Sequence, residues 1–570
     1  MDTRFATSAY RHFLRWSVCS SLAMTVCTIV DALLVGNLVG GDGLAVANIA
    51  TPVFLIYAML GLTIGVGANV HIGRLLGGAD VKKANDVFHG QLGLGLMIGV
   101  LSLIPLLFQK AFFSLLGVTE ELYPLAQQYL TVVMWSAPIF IMYHILSVSV
   151  RTDSDPKCAA LASSVVIVTN LTLDIFFMKV LRWGIVGASA SLCVAEMMGV
   201  LVLLTHFLKK RRLLKLGIAL AKPADVKNIV TNGFAVGAAN VFGAIVMLAF
   251  NTMLLRYFGA TGSAYVAVYG VIYTINTIPS GVFDGASNAL STTTTFLAGE
   301  ADPVGILAVL KRALTVVLIA GIAVGMLCGV GAEQLLHFFG LKGQADMNRA
   351  VLAMRIFAVG MIFAGINMVV TAFWQSIGRA KIAAVMSAMR NCVAVLVLGL
   401  LFIPRSNIVG LSAAYTGAEI LCCLIASVLL CQTKKYVDKQ YGSDAYSFER
   451  NYTIATESAQ QISADVEKLC QTWEIGMKQA FFINFVCEEL LLNIIKFALA
   501  DGGKPHYVSI RLIKKEGDII LRIRDDVSCY NPFEAQGDEI DNGVLKLIKN
   551  KSKYCDYQRK MIFNYLYVVI

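Results

Sequence analysis

Cys27-Thr-Ile-Val-Asp31-Ala-Leu-Leu-Val-Gly-Asn-Leu-Val-Gly-Gly41 has the composition of a membrane-spanning helix, yet it carries a carboxylate. On insertion scales an Asp at the centre of such a helix costs about 2.5–3.5 kcal/mol, so an acid kept there points to a functional position. The competing reading is an Asp that caps a helix end near the membrane interface. What the neighbouring sequence makes of this charge decides between them.

The surroundings are those of a membrane protein. Of 570 residues, 57% are apolar and 15% charged, where soluble domains have about 25% charged. Apolar windows of about 20 residues fall near 15–38, 46–70, 88–108, 126–149, 158–180 and 186–208. A second set falls near 233–255, 265–290, 311–332, 351–373, 380–403 and 411–431, which predicts twelve spans. Past residue 431 the composition becomes that of a soluble domain. The start, with Arg4, Arg11 and Arg15, resembles a signal peptide, but its apolar stretch runs on without a small-residue cleavage site and reads as the first span. The 13 cysteines are scattered with no CxxC pair, so they read as small core residues. Basic residues gather in alternate connections, most densely at 209–227, so both termini and that linker are expected in the cytoplasm of a plasma-membrane protein. The net charge of +10 is then topological, and no nucleic-acid partner is expected.

The two sets of windows repeat each other. At an offset of about 220, Asp31-Ala-Leu-Leu falls on Asn251-Thr-Met-Leu, Gly61 on Gly281 and Gly65 on Gly285. Gly187-Ala-Ser-Ala-Ser-Leu-Cys-Val-Ala-Glu196 falls on Gly410-Leu-Ser-Ala-Ala-Tyr-Thr-Gly-Ala-Glu419. Repeated halves around a midplane site point to alternating access rather than to a channel or receptor. Besides Asp31, the spans hold Asn170, Asp174, Glu196, Asp284 and Glu419. Asn170 and Asp174 are four apart and share a helix face. With Asp31 they offer oxygen ligands and negative charge for Na⁺, or a carboxylate pair able to take up H⁺.

Taken together, these residues resemble the MATE family, the multidrug and toxic compound extrusion transporters, over about 10–431. The motifs that carry the likeness include Asp31-Ala-Leu-Leu-Val-Gly, Leu44-Ala-Val-Ala-Asn-Ile-Ala-Thr-Pro52, Gly65-Val-Gly-Ala-Asn-Val-His-Ile and Gly77-Gly-Ala-Asp80. Val150-Arg-Thr-Asp-Ser-Asp-Pro-Lys157, Asn170-Leu-Thr-Leu-Asp174, Trp183-Gly-Ile-Val-Gly-Ala188 and Trp374-Gln-Ser-Ile-Gly-Arg379 continue it. The resemblance implies two six-helix lobes around a V-shaped cleft, exporting organic, often cationic, compounds against inward H⁺ or Na⁺. It implies Asp31, Asn170 and Asp174 as the cation-coupling residues. A hydroxyl ligand of the sixth helix in some members falls near Leu192, with Ser189 and Ser191 beside it. Asn251 stands where the second lobe would repeat Asp31, and Glu196, Asp284 and Glu419 are the candidate acids of the substrate cleft.

In the tail, Tyr446–Ile454 alternates like a strand, 462–476 and 480–500 have helical periodicity, and Tyr507–Ile513 with Ile519–Arg524 form a hairpin. Glu489, Asn493 and Lys496 share one helix face, and Asp525 directly follows a strand. These clusters resemble the histidine-kinase-like ATPase fold, especially its anti-sigma-factor kinase branch. The resemblance implies Glu489 as base, Asn493 as Mg²⁺ ligand, Lys496 near phosphate and Asp525 at adenine, hence a possible Mg-ATP site. Val527 replaces the usual glycine, and the phosphate lid is reduced to Asn542-Gly-Val-Leu-Lys546. A phosphate cradle needs glycines for close backbone approach, which argues against ATP turnover.

The expectation is therefore an all-α polytopic membrane protein with twelve helices in two parallel six-helix repeats, followed by a small cytoplasmic α+β domain. Its parts are 1–220 (N-lobe), 221–435 (C-lobe) and 436–570 (histidine-kinase-like tail). The function expected is cation-coupled antiport of small organic substrates in a lipid membrane, without a required cofactor or enzymatic activity, and with a tail that could bind a regulatory protein. Two alternatives are a membrane-anchored kinase or sensor and a lipid-linked saccharide flippase. The first lacks a His phosphoacceptor within 432–480; the second would be expected to carry many cavity cations, where Arg355 and Arg390 stand nearly alone.

Overall fold

The computed structural model describes the chain except residues 1–2, 39–40, 117, 119, 210–211, 339–346, 442–446, 501–504, 516–517 and 533–538. The side chains of 28–29, 31–33, 35–38, 41–45, 48, 115, 260, 263, 456–457, 499–500, 515 and 539–544 also lie outside the described residues. Asp31 is among these, so its helical backbone is described and its side chain is not. The same holds for Asn542 and Gly543.

Helix α1 (Arg4–Leu38) is followed by α2 (Gly41–Gly77), α3 (Val81–Leu101), a 3₁₀ turn at Ile104–Phe108 and short α4 (Gln109–Leu115). Helices α5 (Tyr123–Trp135) and α6 (Ala137–Thr152) meet at 45°. Pro138 opens α6 and lacks the N–H that would continue the ladder. Helix α7 (Pro156–Asp174) ends in a π turn, Ile175–Val180, before α8 (Ile185–His206). In the second half, α9 (Pro223–Gly299) breaks at Gly259. Then follow α10 (Pro303–Val330), α11 (Ala332–Phe338), α12 (Met347–Ser376), α13 (Ala380–Ala388), a π turn at Met389–Val393 and α14 (Ala394–Tyr441). Among the described residues nine helices are long and apolar enough to cross a membrane, or ten with α5 and α6 as one bent span. The twelve expected windows fuse in places. Ala380–Tyr441 is one helical stretch of 62 residues that carries two windows and a break at Ser406–Asn407.

Unusual backbone conformations recur in pairs. Ala79 (φ 65°) and Ala301 (φ 54°) each precede an Asp that caps the next helix, Asp80 accepting from Lys83 N and Asp302 from Gly305 N. Gly184 (φ 56°, ψ −134°) and Asn407 (φ 49°, ψ −130°) share one conformation, each just before the helical run that carries Glu196 or Glu419.

Helices α2 and α9 touch along a seam of glycines. A Cβ at Gly67 would collide with Ile229 O, one at Gly233 with Thr63 O, one at Gly77 with Phe296 O and one at Gly299 with Arg74 O. Nearby, Arg74 Nη2 donates to Ser376 O at 2.7 Å. The linker after α8 is strapped to α3 and α6: Asn85 bonds Leu213 O and Lys215 N at 3.0 and 2.6 Å, and Asp153 accepts from Leu213 N and Leu214 N at 3.1 and 3.2 Å.

The helices form one compact unit, Ala6–Lys439, and Met1–Phe5 with Gln440–Ile570 form another. The second contains an antiparallel sheet in the order β1-β2-β3-β5-β4. Its strands are β1 (Ser447–Thr453), β2 (Tyr507–Lys515), β3 (Asp518–Asp525), β4 (Tyr554–Lys560) and β5 (Phe563–Val569). Helices α15 (Thr456–Thr472), α16 (Met477–Ala500) and α17 (Glu539–Lys551) complete it. Ile462, Val466, Ile483, Leu490 and Ile494 share a core with Ile510, Leu512, Leu521, Ile523 and Leu566, so helices cover a sheet face. The strand at 447–453 and the β2–β3 hairpin follow the sequence reading; the β4–β5 hairpin is additional.

Candidate functional site

Helix α7 begins at Pro156, with Asp155 accepting from Cys158 N at 3.1 Å as its cap. Helical spacing then puts Ser163, Val166, Asn170 and Asp174 on one buried face. Asn170 and Asp174 are 1% and 0% exposed. Asn170 Nδ2 donates to Asp174 Oδ2 at 3.0 Å. From α8, Ser191 Oγ donates to Asp174 Oδ1 and lies 3.4 Å from Asn170 Nδ2. Of the two serines beside Leu192, Ser191 faces Asp174, while Ser189 turns back to Val186 O at 3.1 Å. Directly after Asp174 the helix widens into its π turn, a local irregularity common at functional sites.

Cys27 Sγ lies 3.6 Å from Asn170 Oδ1, which brings α1 to the site. Position 31 is one helical turn further along the same face of α1. The cluster is a set of hard oxygens in apolar surroundings, the donor type that suits hard cations rather than softer metals. Among the described residues no group of three or more His, Cys, Asp or Glu has metal-holding geometry.

The three other acids occupy different settings. Glu196 is buried on α8. Glu419 is engaged by Arg390, whose Nε lies 2.8 and 3.0 Å from its carboxylate oxygens, and by Asn367 Nδ2 at 2.7 Å. Asp284 on α9 is the exposed acid of the three.

A further cluster ties the linker to the turn between α6 and α7. His206 Nε2 is 2.8 Å from Asp153 Oδ2 and its Nδ1 is 2.9 Å from Asp155 Oδ2, where Lys209 also pairs. Burial pushes the Asp155 carboxyl up, but hydrogen bonds from His206 and Lys209 outweigh it and hold the group below the usual carboxylate range.

In the tail, Asn493 Nδ2 bonds back to Glu489 O at 2.9 Å, and Lys496 is exposed on the same helix. Asp525 is fully buried at the end of β3. Its Oδ1 accepts from Asn564 Nδ2 at 2.7 Å and Val527 N at 3.1 Å, and its Oδ2 from Tyr530 OH at 3.3 Å. Tyr530 stacks on Phe497 of α16, with ring centroids 4.3 Å apart. Burial pushes the Asp525 carboxyl up to about 6 despite those donors. Three of the chain's own donors thus reach the carboxylate that the resemblance places at adenine. Asn564, which the sequence reading did not single out, lies 39 residues from Asp525 and is brought to it by β5 pairing with β3.

The MatE family model matches residues 17–176 and 236–401, together more than half of the chain. The chain belongs to the MatE family. Members of this family are secondary transporters, not enzymes, and this MatE chain is a multi-pass membrane transporter. It is 23% identical over 445 residues to the multidrug export protein MepA of Staphylococcus saprophyticus, covering 76% of this chain and 96% of that one. It is 24% identical over 435 residues to MepA of Staphylococcus aureus, covering 74% and 93%. A solved multidrug resistance MATE family transporter of the MOP superfamily, in an outward-facing conformation, matches with a TM-score of 0.70 at 21% identity, over 76% of this chain and 97% of its own. A MOP superfamily transporter from Pyrococcus furiosus, described as having a binding pocket of reverse polarity, matches at 0.69 and 21%, over 75% and 97%. The tail lies outside the residues that the MatE model matches.

Proposed function

We propose that this MatE transporter is a cation-coupled antiporter, driven by H⁺ or Na⁺, that exports small organic, cationic or amphipathic compounds by alternating access. The carrying observation is the buried Asn170–Asp174–Ser191 cluster, which concentrates oxygen ligands and negative charge inside an apolar lobe. The names of the MepA relatives support drug-like substrates. The paired conformations at Ala79/Ala301 and Gly184/Asn407, and two separate family matches, support twelve spans in two repeats of six. Both termini are then cytoplasmic, in the cell membrane. Asp31, Asn170 and Asp174 serve as coupling residues, and Asp284 as the acid accessible to substrate.

The test is dye efflux from vesicles under imposed Na⁺ or pH gradients. Asp31→Asn and Asp174→Asn are each expected to abolish gradient-driven efflux while the protein remains folded in the membrane. Unchanged export by both variants overturns the reading.

We read the tail as a regulatory, partner-binding module. The support is the Asp525 carboxylate held by Asn564, Val527 and Tyr530, and the lid reduced to Asn542-Gly-Val-Leu-Lys546. The full chain is expected to show no binding of an ATP analogue with Mg²⁺ at millimolar nucleotide. Saturable binding that Asp525→Asn removes would restore the nucleotide site.

A further inference from the structure

Glu196 and Glu419 stand at the same place in the two sequence repeats, yet among the described residues only Glu419 has a counter-charge. The Glu419 carboxylate is held by Arg390 and Asn367. Carried back by the spacing that aligns the two glutamates, Arg390 falls on Ile167 and Asn367 on His144. The N-lobe therefore has an aliphatic side chain where the C-lobe has a guanidinium. Glu196 is 4% exposed, and its Oε2 is fully buried with no hydrogen-bond partner among the described residues. Nor does any described cation lie within ion-pair distance of it.

Its place follows from helix packing. On α8, Ser191 meets Asn170 of α7, while a Cβ at Gly199 would come within 2.5 Å of Val166 Cγ2 and 2.8 Å of Tyr143 Cε2. Glu196 lies between these levels on α8, and among the described residues its Oε2 forms no hydrogen bond with the Asn170–Asp174 cluster. Beyond it a row of hydroxyls continues: Tyr143 OH to Ser163 Oγ at 3.1 Å, and Ser163 Oγ to Ser20 Oγ at 2.7 Å. The elements packed against α8 carry these titratable and charged groups: Lys157, Cys158 and Asp174 of α7, Lys179 of the π turn, Tyr143, His144 and Arg151 of α6, and Tyr123 and Tyr129 of α5. Cys193 and His206 share its own helix. Of these, Tyr143 is the one placed beside it by the Gly199 contact.

An ionised carboxylate without a partner in such surroundings is strongly disfavoured, whereas the neutral acid carries no such charge. We propose that Glu196 is an exchangeable proton carrier of the N-lobe, a second protonation station distinct from the Asn170–Asp174 site. On discharge the carboxyl O–H bond breaks and the proton passes to a water molecule as hydronium, leaving Glu196 anionic; uptake of a proton from hydronium re-forms the O–H bond. The inference rests on the antiport reading for its role, but not for the protonation itself.

The experiment is infrared difference spectroscopy on the full-length protein in lipid, recorded across a pH step. Wild type is expected to show the C=O stretch of a protonated carboxyl that Glu196→Gln lacks and Glu419→Gln retains. Ile167→Arg, which supplies the C-lobe's cation, is expected to remove the same band by holding Glu196 ionised, and it serves if the first variant does not fold. A band unchanged in Glu196→Gln, or in a folded Ile167→Arg, overturns the proposal. Dye efflux on the same preparations separates the two readings. Efflux unaffected by Asp174→Asn and Asp31→Asn with the Glu196 band present leaves the proton site standing and removes the antiport mechanism. Loss of efflux in those variants with no Glu196 band does the reverse.

Discussion

Arg390 reaches Glu419 with its Nε 2.8 Å from Oε1, from a π turn at Met389–Val393 to a helix that begins afterwards. Both side chains are largely buried, at 17% and 14% exposed. Removing one member of such a pair strands the other and typically costs about 3–5 kcal/mol, whereas replacing both with apolar residues is often neutral. Glu419→Gln and Arg390→Met are expected to lower the thermal unfolding temperature of the detergent-solubilised protein. The double variant Arg390→Met/Glu419→Leu should recover most of that loss.

Ser191 is the hydroxyl that closes the Asp174 cluster. A hydrogen bond to a charged group contributes about 1.5–3 kcal/mol, which corresponds to roughly tenfold or more in binding. Ser191→Ala should raise the coupling-ion concentration needed for half-maximal efflux by about that factor, with Ser191→Thr close to wild type. Vesicle efflux titrated against the ion measures it.

The His206 clamp holds the strapped linker through Asp153 and Asp155. In His206→Ala the amides of Leu213 and Leu214, which Asp153 accepts, should exchange at least roughly tenfold faster. Asp155 has a depressed carboxyl, so its stabilising contribution is present above the unfolded carboxylate range and lost as pH falls through its lower folded value. Hydrogen exchange by mass spectrometry on the intact protein reads both effects.

Asp525 behaves in the opposite sense. Its folded pKa is raised from 3.8 to about 6, so the proton favours the folded state. Its contribution is complete below the unfolded value and is lost as pH rises through about 6, at a cost on the order of 3 kcal/mol. Protection of the β3 amides should therefore decline over that window, after correction for intrinsic exchange. Asp525→Asn should flatten the profile.

The β4–β5 turn places Met561 and Ile562 at φ 57° and 102°. A β-branched residue there is strained by about 1–3 kcal/mol, so Ile562→Gly should stabilise the tail by part of that amount. The same residues explain why this hairpin was not legible in the sequence. Its turn has none of the Gly, Asn or Asp that mark such turns, although Phe563-Asn-Tyr-Leu-Tyr-Val-Val has strand composition. The apolar windows and the four-residue spacing of Asn170 and Asp174 were readable because they depend only on local periodicity. The alignment of Glu196 with Glu419 was readable too, but their difference was not. It depends on Arg390, 29 residues before Glu419 and adjacent only once the helices pack. Asn564 was hidden from Asp525 for the same reason, since strand pairing alone joins them.

At the α2–α9 seam, Gly67 and Gly77 from one side and Gly233 and Gly299 from the other meet main-chain carbonyls with no side chain between. Backbones this close are keyed like gear teeth. Gly67 and Gly233 meet on the arm of α9 before the Gly259 break, and Gly77 and Gly299 on the arm after it. The two arms of α9 are thereby fixed to α2 at separate levels, Gly233 at one and Gly299 at the other, and any side chain larger than hydrogen at these four positions would prise the backbones apart.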